Sequence, residues 1–130
     1  MQIHQSAEDY LETILMLSQR MGKVRSIDVV NELGFTKASV SIAMKKLREN
    51  GYIAVDGEGN LTLLEPGLEI AQRIYSRHRL LTHFFVQLGV DEQTAAEDAC
   101  KAEHILSEQT LEKIRERAIE TDAELGKTVK

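Results

Sequence analysis

The chain has 130 residues, 42% hydrophobic and 28% charged, with a net charge of −5. That balance is globular rather than disordered, and the length suits one compact domain or two small abutting ones. No apolar run approaches the roughly 18 residues of a membrane span and no signal-peptide stretch opens the chain. A single cysteine, Cys100, excludes an internal disulfide, so a cytoplasmic protein with a reduced thiol is expected.

Helical periodicity dominates. Ser6, with Asp9 three residues on, is placed to cap a first helix whose apolar side is Tyr10, Leu11, Ile14, Leu15 and Leu17. It should stop near Met21-Gly22. A short second helix starts at Ser26, and Gly34-Phe35 makes a tight turn. Thr36 should cap a third helix, Lys37 to Asn50, with Val40, Met44 and Leu47 inward. Tyr52 to Val55 and Leu61 to Leu64, separated by a Gly/Asp/Asn-rich segment, read as a β-hairpin. Pro66 opens a long helix to about Gln87. Asp91 caps another through Ile105, and Ser107 caps a last one through about Ile119.

The fold class is therefore mainly α. An N-terminal winged helix-turn-helix with a small β-hairpin wing (1–65) precedes a helical dimerisation and metal-binding domain (66–119), and a tail (120–130) is expected to fray. With no tryptophan and 5% aromatics, the core rests on Leu, Ile, Val and Ala. Ala95, Ala99, Ala102, Ile105, Leu111 and Ile114 are candidates for a dimer face.

The charge is polarised. Between Arg20 and Arg48 seven basic residues face two acids, whereas from Glu65 onward nine basic residues face thirteen acids. The basic stretch coincides with the helix-turn-helix. Its third helix opens with small polar residues, which let a helix enter the major groove and donate to base edges or phosphates. The expected DNA-contacting residues are Arg25, Thr36, Lys37, Ala38, Ser39, Ser41, Lys45, Lys46 and Arg48. The wing carries Asp56 and Glu58 and no cation, a poor phosphate clamp by itself.

A second constellation is Cys100-Lys-Ala-Glu103-His104. On a helix these three donors stand at i, i+3 and i+4 and share a face. Thiolate, carboxylate and imidazole together suit a divalent transition metal. Further donors are offered by Asp9 and Glu12, at i and i+3 of the first helix, and by His78 on the apolar stripe of the long helix. Taken singly, each has a plainer reading: a hydrogen-bonded core histidine, acids favoured at a helix N-terminus, a small buried thiol. Only their conjunction points to a metal.

Three stretches carry a resemblance: Ser6-Ala-Glu-Asp-Tyr-Leu-Glu12, Arg77-His-Arg-Leu-Leu81 and Asp98-Ala-Cys-Lys-Ala-Glu-His-Ile-Leu-Ser107. In these the chain resembles the diphtheria toxin repressor family of metal-dependent regulators, including its manganese transport regulator branch, from about Ser6 to Ile119. The resemblance implies a homodimer that binds double-stranded operator DNA when loaded with Mn(II) or Fe(II) and represses genes of metal homeostasis. It also implies metal ligands at Asp9, Glu12, His78, Cys100, Glu103 and His104. Manganese-type members carry acids at the positions of Asp9, Glu12 and Cys100; iron-type members carry Met, a non-acid and Cys there. This chain is a hybrid, acid on the first helix and thiolate on the fifth. Mn(II) is slightly favoured, and Co(II) or Zn(II) are expected to occupy the same donors in vitro. The alternative is a winged-helix regulator sensing a small organic ligand or oxidation of Cys100. An enzyme is not expected: no His-Glu-x-x-His and no glycine-rich phosphate loop is present.

Overall fold

A computed structural model describes residues 5–125. Its order is α1 (Gln5–Met21), β1 (Val24–Arg25), α2 (Ser26–Leu33), α3 (Lys37–Glu49), β2 (Ile53–Val55), β3 (Asn60–Leu63), α4 (Glu65–Gln87), α5 (Glu92–Ala102) and α6 (Glu108–Leu125). The chain divides into two compact units, 1–73 and 74–130. Among the described residues no helix is long and apolar enough to cross a membrane.

The first unit is a winged helix-turn-helix. Its apolar periodicity closes a core from α1 (Leu11, Ile14), α2 (Val29), α3 (Val40, Met44, Leu47) and the sheet (Val24, Ile53, Leu61). α1 packs on α2, α3, β1 and β3, so it is the spine of the reading head. Gly34 ends α2 at φ 72°, a left-handed value that favours glycine, and its N–H donates to Val30 O at 2.9 Å. Phe35, next in the turn, meets Tyr10 of α1 edge to face with centroids 5.8 Å apart. That contact fixes where α3 begins. Thr36 caps α3 as expected, its hydroxyl accepting from Ser39 N at 3.1 Å.

The hairpin β2–β3 forms in the expected place, with Ile53 opposite Leu63 and Val55 opposite Leu61. The sheet has one strand more than expected. β1 pairs antiparallel with β3 through Val24↔Leu61 and Arg25↔Asn60. Two residues offer too little alternation to signal a strand.

α4 starts on this unit. Gly67, in its first turn, lies so close to Tyr52 that an added Cβ would stand 2.2 Å from the Tyr52 carbonyl oxygen and 3.3 Å from Leu11 Cδ2. Glu8 of α1 pairs with Arg73 of α4 at 3.2 Å.

In the second unit a cluster of Leu80, Leu81, Ala99, Leu111 and Ala118 forms the core, with Phe84, Phe85, Ala102, Leu106 and Ile114 packed on it. Asp91 and Ser107 cap α5 and α6, accepting from Thr94 N at 3.0 Å and Thr110 N at 3.2 Å.

Two expectations are corrected. α5 ends at Ala102, not Ile105. The region 120–125 is not frayed: α6 continues to Leu125, while the rest of the expected tail lies outside the described residues. The continuation has a polar cause. Asp122, 1% exposed, accepts from Gln87 Nε2 at 2.8 Å and lies 2.8 Å from His83 Nε2, which ties the last turns of α6 to α4. Of the dimer-face candidates, Ala95, Ala99 and Leu111 are buried, whereas Ile105 is 76% exposed.

Candidate metal centre and nucleic-acid interface

The second unit brings three of the six expected metal donors together, and a fourth, His104, lies against one of them. α4 carries His78 and α5 carries Cys100. Glu103 follows as the C-cap of α5, still at right-handed helical angles. Its N–H donates to Ala99 O, and the chain then tightens, Ile105 N–H donating to Ala102 O three residues back. Glu103 and His104 thus sit on the turn leaving α5 rather than within it. Glu103 still meets Cys100 as a continuous helix would have it, because the cap keeps helical angles.

The donor atoms of His78, Cys100 and Glu103 all lie within 4.8 Å of one another. His78 Nδ1 is 3.0 Å from Glu103 Oε2, and His104 Nε2 is 3.4 Å from Glu103 Oε1. Glu103 is 0% exposed, and Cys100 is at the surface. With metal–donor bonds of about 2.0–2.3 Å, the donors of one ion stand roughly 3.5 Å apart, so these side chains need only small movements to share one. A buried carboxylate between two imidazoles, with a thiol alongside, fits a divalent transition metal.

Asp9 and Glu12 belong to the first unit. They occur at i and i+3 of α1, with Glu12 4% exposed and Asp9 half-buried. Burying a carboxylate is costly without a compensating partner, so Glu12 is not an ordinary solvated helix acid. The phenol of neighbouring Tyr10 is raised above its ordinary value, by burial first and by the Asp9 carboxylate second.

One residue that motif spacing did not single out supports the site. Arg77 donates from Nη1 to the backbone carbonyl of Glu103 at 3.1 Å, and its Nη2 pairs with Glu108. It anchors the α5–α6 turn that aims Glu103 and His104. Its place immediately before His78 was the available signal. Interactions of this kind orient the ligands themselves.

In the first unit, all nine expected DNA-contacting residues are exposed. Eight lie on α3 or its cap, which points its N-terminal residues outward while Val40, Met44 and Leu47 face the core. α3 has no acid in its first turn, whereas the other helices carry Glu8, Asp28, Glu65, Glu92 or Glu108 there. Its positive dipole end is left for an outside anion.

Arg25 is the ninth and is committed differently. Its Nε donates to Glu58 O in the wing at 3.0 Å, and its Nη2 also reaches that carbonyl. Asp56 builds the turn of the wing from an exposed position. Its Oδ1 accepts from Glu58 N and Asn60 N at 2.9 Å each, and its Oδ2 from Asn60 Nδ2 at 3.0 Å. These bonds hold its carboxyl below the ordinary value. One of its acids builds the turn, and a guanidinium from β1 lies against its tip.

Comparison with known proteins matches residues 2–61 to the family described as iron dependent repressor, N-terminal DNA binding domain. Residues 64–120 match iron dependent repressor, metal binding and dimerisation domain. An uncharacterised HTH-type transcriptional regulator of Methanocaldococcus jannaschii is 37% identical over 113 residues, 85% of this chain and 90% of the relative. The HTH-type transcriptional regulator MntR of Bacillus subtilis is 34% identical over 109 residues, 84% of this chain and 77% of the relative. Among solved structures, a manganese-dependent transcriptional repressor in complex with manganese superposes with TM-score 0.75 at 30% identity, over 92% of this chain and 52% of that one. The manganese regulator SloR gives TM-score 0.73 at 26% identity, over 97% of this chain and 55% of that one. The chain thus spans about half the length of these solved structures.

Proposed function

The chain belongs to the iron dependent repressor family of metal-dependent transcriptional regulators, the diphtheria toxin repressor group, and on that premise we propose that it binds operator DNA as a homodimer when loaded with Mn(II) or Fe(II). It is a regulator rather than an enzyme, and the proposed setting is the cytoplasm. The observation that carries the reading is the convergence of His78, Cys100 and Glu103 donor atoms in a chain whose other unit is a winged helix. His104 is the fourth proposed ligand of that unit, and Asp9 and Glu12 the proposed ligands of the other.

When bound, a divalent cation supplies a positive centre that neutralises the buried Glu103 carboxylate. The chain's own residues do the rest. Arg77 holds the Glu103 carbonyl and so limits how the ligand turn can move. α1 packs on α2 and α3, so a constraint on Asp9 and Glu12 acts on the helix that carries the reading helix. Metal thereby favours the DNA-competent arrangement through a coupling of about 1–3 kcal/mol, typical of such linkage. Because the ligands must be deprotonated, metal affinity falls as the solution becomes acidic.

Mn(II) is the proposed metal, in line with the carboxylates on α1 and the manganese regulators among the relatives. Cys100 pulls toward softer ions. The test is fluorescence anisotropy of the native chain on duplexes it enriches from a random library, titrated with Mn(II), Fe(II) and chelator. Metal should tighten binding roughly five- to 150-fold. Equal affinity with Mn(II), Fe(II) and chelator would sink the reading. Cys100→Glu should shift the preference toward Mn(II); no shift would exclude Cys100 as a ligand.

A further inference from the structure

One feature of the reading helix is unexplained by packing or by charge. Ile42 is 58% exposed, the most exposed large apolar side chain of the first unit among the described residues. It lies two residues from Val40 and two from Met44, about 200° round the helix from each, so it faces directly away from the core. Its neighbours on that outer face are Ala38 and Ser39, one turn before, and Lys45 and Lys46, one turn after, all exposed. An apolar side chain there gains nothing in the free protein. A branched hydrocarbon, framed by small residues on one side and cations on the other, meets a matching surface in the major groove. The C5-methyl of thymine is the apolar group exposed there, and the phosphates flanking it suit Lys45 and Lys46.

We infer that Ile42 is a specificity-determining residue that reads a thymine by packing on its C5-methyl group. The inference rests on the DNA-binding reading above and adds which base class the protein selects. Ala38 leaves room for the contact, because a longer side chain one turn earlier would hold the helix off the groove. Lys45 and Lys46 add affinity that is indifferent to sequence. Discrimination at this position is thus apolar rather than hydrogen-bonded, and depends on one methyl group of the DNA.

The experiment uses the native chain with saturating Mn(II). A random double-stranded library is enriched for bound duplexes, and the enriched duplex is resynthesised with each thymine in turn replaced by deoxyuridine, which lacks only the methyl. Wild-type affinity should fall about fourfold, the worth of one buried methyl, at one thymine per half-site. Ile42→Ala should bind the thymine and deoxyuridine duplexes equally at that position and keep the other contacts. Ile42→Gln should enrich a different base there. Because the side chain is exposed, both variants are expected to fold. A flat deoxyuridine profile for the wild type, or the same profile for Ile42→Ala, overturns this inference alone. Failure of the native protein to enrich any duplex overturns it together with the functional reading.

Discussion

Replacing Gly67 by alanine sets two effects of opposite sign against each other. In an ordinary helix the change is favourable by up to about 1 kcal/mol, because alanine loses less backbone entropy. Here the new Cβ would stand 2.2 Å from Tyr52 O, 3.0 Å from Tyr52 C and 3.3 Å from Leu11 Cδ2. A relaxed carbon–oxygen contact is about 3.3 Å, so α4 and the Tyr52 carbonyl must separate by roughly 1 Å, the kind of overpacking that costs about 1–3 kcal/mol. The carbonyl cannot easily yield. It accepts from Leu64 N at 3.0 Å, while Tyr52 N donates to Leu47 O at 2.9 Å. The clash therefore wins, with a net loss of about 1–2 kcal/mol. In urea, with a slope of about 1–3 kcal/mol per molar, the midpoint should fall by roughly 0.5–1 M. Gly57→Ala is the control: its Cβ would meet nothing within 4 Å, so its midpoint should stay put. A Gly67→Ala midpoint equal to or above wild type would refute the reasoning.

The other predictions concern the second unit and the wing. Arg77→Ala should weaken metal binding about 10- to 100-fold, as loss of a group that orients ligands does; calorimetric titration with Mn(II) measures it, and an unchanged affinity would remove Arg77 from the site. Asp122→Ala should cost about 1–3 kcal/mol, since it strips a buried acceptor from Gln87 and from His83; Asp122→Asn should cost less, and urea midpoints of the two variants would show whether the order holds. The wing should have a defined acid limit. The Asp56 carboxyl is lowered from its ordinary value near 3.8 by the N–H groups it accepts from, those of Asn60 foremost. The ionised form is thus favoured by folding, so its contribution is fully present above the unfolded pKa and is lost as pH falls through the folded one. Protection factors for amide exchange of Glu58 and Asn60, taken against the intrinsic rate at each pH, should be steady down to about pH 4 and fall below it, and Asp56→Ala should show low protection at every pH.

The elements legible in the sequence were those written in apolar period and in most caps, Ser6 excepted, which lies inside α1 rather than before it. Val40, Met44 and Leu47 foretold the inward face of α3, and Thr36, Asp91 and Ser107 cap the helices assigned to them. What escaped was stabilised by single polar contacts that have no period. β1 is held to β3 by two residue pairs. The end of α6 rests on Asp122, an acid that a periodicity argument counts as solvated although it is buried against His83 and Gln87. The same blindness affected the wing. Asp56 reads as a solvated acid, yet its carboxylate accepts three hydrogen bonds that build the turn.

The proposed metal donors were chosen on a different ground. A ligand set is constrained by chemistry, and so His78, Cys100, Glu103 and His104 could be picked out by residue type before any backbone was known. The assumption that failed was geometric, since the helix expected to align three of them stops at Ala102. Glu103 nevertheless stays at helical angles, φ −59° and ψ −22°, as the cap, and its donor atoms lie within 4.8 Å of those of Cys100 and His78. Two of the proposed ligands thus sit on a turn rather than inside a helix. The turn is held by its own backbone bonds, and Arg77 adds a side-chain tie through the Glu103 carbonyl and the Glu108 carboxylate. Arg77 therefore ties the α5–α6 turn beside that turn's own backbone bonds and the Ser107 cap, and the Arg77 variant measures how much of the proposed metal affinity rests on that tie.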